Sequence, residues 1–163
     1  MSTLFLNKRK APPDLKDKQK RLFSLFDLQG KTIVLVYNDE ELIKKMKKIK
    51  NIRLTVIAKK RTEFLEKIKY KEAQVSYSDF IDSPLDASDL IFIEADFNNL
   101  TELENNMLYA EKNLKGNGQL IFFNFTGTML DINQVKKILG VKFDRIQFID
   151  QDRYHVVICI KDR

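Results

Sequence analysis

The stretch Lys31–Glu41, KTIVLVYNDEE, constrains this chain more than any other. Ile33–Tyr37 is an unbroken apolar run, the pattern of a strand buried on both faces. It stops at Asn38 and runs into acids that open a helix. A strand of that kind needs helices above and below it, which points to a parallel α/β sheet. In such a sheet the turn after the first strand borders the crevice where ligands bind. Here that turn is Tyr37-Asn38-Asp39-Glu40, without a glycine.

Strand and helix signals alternate from this point. Asp39–Lys50 reads as a helix with acids in its first turn and lysines in its last, matching the macrodipole; Leu42, Ile43, Met46 and Ile49 form its apolar stripe. Arg53–Ala58 is a second strand, Thr62–Tyr70 a helix capped by Thr62, and Val75–Phe80 a short third strand. After a loop at Asp82–Asp86 come a strand at Asp89–Ala95 and a helix at Asn98–Leu114 capped by Asn99 or Thr101. Lys115–Gly118 reads as a glycine-punctuated turn, followed by a strand at Gln119–Phe125 and a helix at Met129–Leu139. Phe143–Ile149 and Tyr154–Ile160, four residues apart, form an antiparallel hairpin. The expectation is a three-layer, Rossmann-like α/β domain of about seven strands, mostly parallel, closed by that hairpin.

Residues 1–30 stand apart as a basic leader, with Lys8-Arg9-Lys10 and a stiff Ala11-Pro12-Pro13, then a docking helix from Asp14 to about Leu28 that Gly30 closes. Residues 31–163 make the α/β domain. The 163-residue length suits one domain with a proper core. No apolar run approaches the roughly 18 residues that span a bilayer, so no membrane partner is expected. A single cysteine, Cys159, cannot form an internal disulfide, which favours a reducing cytoplasm. The net charge of +6 is uneven: residues 1–72 carry 20 Lys/Arg against 9 Asp/Glu, and residues 73–163 carry 9 against 14. Such a basic front half attracts polyanions or the acidic half of a second subunit.

The order of elements over Lys31–Arg163 resembles the class I S-adenosylmethionine-dependent methyltransferases, whose sheet is parallel except for a reversed last strand. Leu114–Phe122, LKGNGQLIF, is similar to the family's turn before its fifth strand, and Ser88–Glu94, SDLIFIE, to its fourth-strand pattern. Ser76–Phe80, SYSDF, resembles the third-strand end, and the resemblance gives Asp79 the adenine-contacting role. The chain departs from the family at two places. The glycine-rich first loop, through which the backbone approaches the cofactor closely, is replaced by bulky and acidic residues. The acid that ends the family's second strand is replaced by Ala58-Lys59-Lys60.

Four residues are therefore candidates for cofactor binding: Asn38, Asp39, Asp79 and Glu94. Asn38, Asp39 and Glu40 suit a pocket for a cation or a divalent metal, or else a helix cap that serves the dipole. Glu94 and Asp96 suit a crevice at the carboxyl edge, or helix initiation after Ala95. Lys8, Arg9, Lys10, Lys44, Lys45, Lys48, Lys59, Lys60 and Arg61 suit one phosphate-binding face, or a solvated helix surface. His155 has no second ligand or nucleophile nearby in the sequence, and a structural role is expected for it; Cys159 reads as a buried, inert thiol. The sequence thus supports a degenerate methyltransferase-like domain that binds or assembles without catalysis and contacts nucleic acid, a protein partner or a second copy. The alternative is a divergent, active methyltransferase that uses S-adenosylmethionine through Asp79 and the backbone around Asn38.

Overall fold

The computed structural model describes residues 13–36, 39–69, 73–77, 87–127, 129–151 and 153–162. Its elements are α1 (Pro13–Ser24), β1 (Thr32–Val36), α2 (Glu40–Lys47), β2 (Arg53–Ala58), α3 (Glu63–Ile68) and β3 (Gln74–Tyr77), then β4 (Ser88–Glu94), α4 (Leu100–Lys112), β5 (Leu114–Asn124), α5 (Ile132–Leu139), β6 (Arg145–Gln151) and β7 (Tyr154–Ile160). The strands form one sheet in the order β3-β2-β1-β4-β5-β7-β6. The first five are mutually parallel, and β7 runs antiparallel between β5 and β6. The expected mostly parallel sheet with a closing hairpin is therefore the observed one.

Alternation along the strands divides the core in two. Ile33, Leu35, Phe92, Phe123 and Val156 face α1, α2 and α3, which contribute Leu22, Leu42, Ile43, Met46, Leu65 and Ile68. Val34, Ile91, Ile93, Phe122 and Val157 face α4 and α5, which contribute Leu103, Met107, Val135 and Leu139. The central strands are buried on both faces, as their continuous apolar composition requires. α1 and the turn after it are bound into the first core: Leu22 is fully buried, and Phe23 and, past the helix, Phe26 meet the ring of Phe92 edge-on at 5.7 and 5.5 Å.

Helix starts follow capping chemistry. Thr62 accepts from Leu65 N, Asn99 from Glu102 N and Asp131 from Gln134 N, each satisfying an amide that has no partner within its own helix. Several boundaries differ from the sequence expectation. α1 ends at Ser24 rather than near Leu28, so Gly30, at φ +77, is not a helix cap; it turns the chain into β1. α5 begins at Ile132, three residues after Met129, because Asp131 is its cap. Lys115–Gly118 belongs to β5 instead of forming a turn. Leu114 pairs with Ser88 across a register shift, and Asn117 and Gly118 exchange backbone hydrogen bonds with Lys161. The sixth strand starts at Arg145, after the buried Phe143. Of the third strand, Gln74–Tyr77 is described, and Ser78-Asp79-Phe80 lie outside the described residues.

Candidate ligand crevice and basic surface

The strand order reverses between β1 and β4, so the crevice expected of this architecture opens at their carboxyl ends. Asn38 lies outside the described residues. Asp39 is the N-cap of α2: its Oδ1 accepts from Glu41 N at 2.9 Å. Its Oδ2 accepts from Gln19 Nε2 of α1 at 2.7 Å. Both carboxylate oxygens are thus engaged inside the fold. Gln19 is 1% exposed, and its Oε1 is buried without a hydrogen-bond partner. The Asp39 carboxylate dictates which end of that amide is nitrogen, because a carboxylate only accepts. The sequence held a signal for Gln19: it sits four residues after Leu15 and three before Leu22, on the apolar stripe of α1.

β2 ends at the buried Ala58, and Lys59 and Lys60 follow it exposed to solvent. Asp79 lies outside the described residues. Glu94 ends β4 half-buried, in register with Phe123 of β5. Asp96 turns its carboxylate onto Asn98 N at 3.0 Å, an arrangement that serves the start of α4. The structure therefore brings Asp39 and Glu94 to the same sheet edge and assigns Asp39 to capping and to anchoring α1.

Four of the described cations fall in two groups on either side of α3, each built over an aromatic ring. On the α2 side, Lys44 and Lys47 Nζ lie 5.8 Å from the Phe64 ring centroid. On the β3 side, Arg61 and Lys69 cover Tyr77 at 4.6 and 5.6 Å. Arg61 also donates to Glu66 Oε1 at 2.8 Å, and the Tyr77 hydroxyl donates to the same oxygen at 3.2 Å. The Arg61 bond holds the Glu66 carboxyl below its ordinary range, while desolvation and then the Glu66 charge raise the Tyr77 phenol. Lys45 is half-buried, and Lys48, Lys59 and Lys60 are exposed. A cavity of about 420 Å³ lies beside the first turns of α2 and α3, lined by Glu40, Thr62, Glu63, Phe64 and Lys67. Lys8, Arg9 and Lys10 lie outside the described residues.

His155 Nδ1 stands 2.7 Å from Asp150 Oδ1, at an angle outside ordinary hydrogen bonding. Cys159 is fully buried, and burial pushes its thiol well above the usual range. Among the described residues, no group of three or more His, Cys, Asp or Glu is placed to hold a metal ion, and no helix is long and apolar enough to cross a membrane. The Asp39 side chain is engaged within the fold, and Lys59 and Lys60 follow the end of β2.

No family model matches the chain, and no curated protein matches it. Solved structures do resemble it. The pyocyanin biosynthetic protein PhzM superposes with a TM-score of 0.72 at 11% identity over 88% of this chain; the chain spans about half of that protein, 54%. A SAM-dependent methyltransferase from Aquifex aeolicus gives 0.65 at 17% identity, covering 87% of this chain and 88% of that one. The N-methyltransferase NodS from Bradyrhizobium japonicum WM9, in complex with S-adenosyl-l-homocysteine, gives 0.68 at 14% identity, covering 94% and 90%. With the strand order and the reversed β7, these likenesses establish that the chain has a class I methyltransferase-like Rossmann fold.

Proposed function

We propose that this domain binds rather than methylates, and that its ligand is a nucleic acid held through its phosphates. The observation that carries the first half is the β1–α2 junction. Asp39 caps α2 and receives Gln19, so the place where a cofactor would meet the first loop is committed to holding α1. The cations after Ala58 support the same reading, since they attract phosphate and cannot accept a hydrogen bond from ribose. The second half is supported by charge. Residues 39–69 carry 11 Lys/Arg against 5 Asp/Glu, and four of those cations stand over the Phe64 and Tyr77 rings on either side of α3. Such a surface reads no base edges; it gives sequence-blind, salt-dependent affinity.

Two titrations test the reading. Calorimetry with S-adenosylmethionine is expected to give no heat of binding, and micromolar affinity would overturn the non-catalytic half. A single-stranded oligonucleotide is expected to bind at about 50 mM salt and to lose about 50- to 130-fold in affinity by about 200 mM, as about four to five phosphate contacts imply. Absence of binding at the lower salt would overturn the other half. The active-methyltransferase reading keeps one support: the fold is similar to that of the N-methyltransferase NodS solved with S-adenosyl-l-homocysteine.

A further inference from the structure

The other half of the carboxyl edge carries a different constellation, built on α1, the β5–α5 loop and the β6–β7 hairpin. Phe123 and Phe125 meet at 5.2 Å, and Phe125 stacks on Tyr154 at 5.2 Å with rings 1° from parallel. Arg21 completes the column, its Cζ 4.1 Å from the Tyr154 ring centroid. One amino group of Arg21 donates to Gln151 Oε1 at 2.7 Å. The guanidinium is thereby held by stacking and by one hydrogen bond, and the residue stays exposed, with further donors left for a ligand.

Arg153, the chain neighbour of Tyr154, supplies a second guanidinium. It sits at φ +51, a left-handed conformation that hairpin turns ordinarily give to glycine or asparagine. Its side chain lies along Gly127, with Cγ, Cδ and Nε 3.5, 3.8 and 3.8 Å from where a Cβ would stand. Among the described residues nothing pairs with this guanidinium. The loop beneath it is fixed in advance. Asn124, 5% exposed, donates from Nδ2 to Ala95 O at 2.8 Å and accepts on Oδ1 from both Thr126 N and Thr126 Oγ1 at 2.9 Å. Among the described residues of the hairpin, the acid Asp150 is turned towards His155.

We propose that Arg21 and Arg153, flanking Tyr154 above the Asn124-braced loop, receive the oxoanionic group of a small molecule, a phosphate or a carboxylate. Two guanidinium forks on a rigid base suit a compact, planar or tetrahedral oxoanion, whereas the lysine groups offer mobile point charges. The site is also separate from those lysines. β1, β4 and β5 lie between β2, which precedes Lys59, and β7, which begins at Tyr154. The assignment therefore stands whether or not the nucleic-acid reading holds.

The test uses the full chain labelled with ¹⁵N, titrated with inorganic phosphate and separately with acetate at constant ionic strength. Saturable shifts are expected at the Arg21 and Arg153 Nε–H signals and at the Gly127 amide, with none at Arg61. The Arg153→Gln variant is expected to weaken binding about tenfold or more, as loss of one charge-assisted pair implies. Arg21→Lys gives a second reading with the charge kept and the fork removed, and is expected to weaken binding less. A response to phosphate alone identifies a phosphoryl ligand, and an equal response to acetate a carboxylate; both support the site. Shifts that fail to saturate, that appear equally at Arg61, or that persist unchanged in Arg153→Gln overturn it.

Discussion

Replacing Asp39 by alanine should cost the fold far more than its place on a loop suggests. Two losses combine. The first is the N-cap bond to Glu41 N at 2.9 Å, worth about 1 kcal/mol. The second is the partner of Gln19 Nε2, a buried donor left without an acceptor, worth about 1–3 kcal/mol. Together they predict a destabilisation of about 2–4 kcal/mol. Gln19→Leu should behave differently. It removes the bond to the carboxylate, but it also removes the buried Oε1 that has no partner, so the two effects offset and the variant should lie within about 1 kcal/mol of the parent. In the Gln19→Leu background, Asp39→Ala should then cost only the cap, about 1 kcal/mol. The double-mutant cycle thus carries a coupling of about 1–3 kcal/mol, read from urea midpoints at constant slope. Additivity to within about 0.5 kcal/mol would refute the anchoring role of Asp39 and return it to the pool of ligand-binding candidates.

Two further predictions concern the core. Phe92 is fully buried and holds Phe23 of α1 and Phe26 just beyond it edge-on, so Phe92→Ala should cost about 3–5 kcal/mol, seen as a lower urea midpoint. Because burial raises the Cys159 thiol above its ordinary 9.0, the unfolded chain loses that proton first as pH rises. Stability should therefore be complete below about pH 8.5 and fall above about pH 9, by up to about 1.4 kcal/mol per unit of pH, and Cys159→Ala should remove that slope from the pH profile of unfolding. Tyr154, raised by desolvation, adds the same sign of slope above about pH 10 and remains in that variant.

What was legible in the sequence was what depends on near neighbours. The runs IVLVY, RLTVIA and YHVVICI fall within a residue of the observed β1, β2 and β7, because continuous apolar, β-branched residues have few other uses. Thr62 and Asn99 cap where capping chemistry placed them, and Asp39 resolved in favour of the cap. The site was less legible because its contacts are long-range. Gln19 reaches a residue 20 positions away and Arg21 one 130 positions away, and no local pattern marks either partner. The cations around α3 sort by a related rule: Phe64 and Glu66, two residues apart on that helix, point to opposite sides and hold Lys44 and Arg61 apart. α1 is thus the element whose meaning changed most. Read as a docking helix, it also braces the start of α2, by giving Gln19 to Asp39. On its other side it offers Arg21, stacked and exposed, to whatever enters over β5 and β7. A helix that braces one half of the carboxyl edge through Gln19 and presents Arg21 at the other is what the two proposed binding roles require of α1.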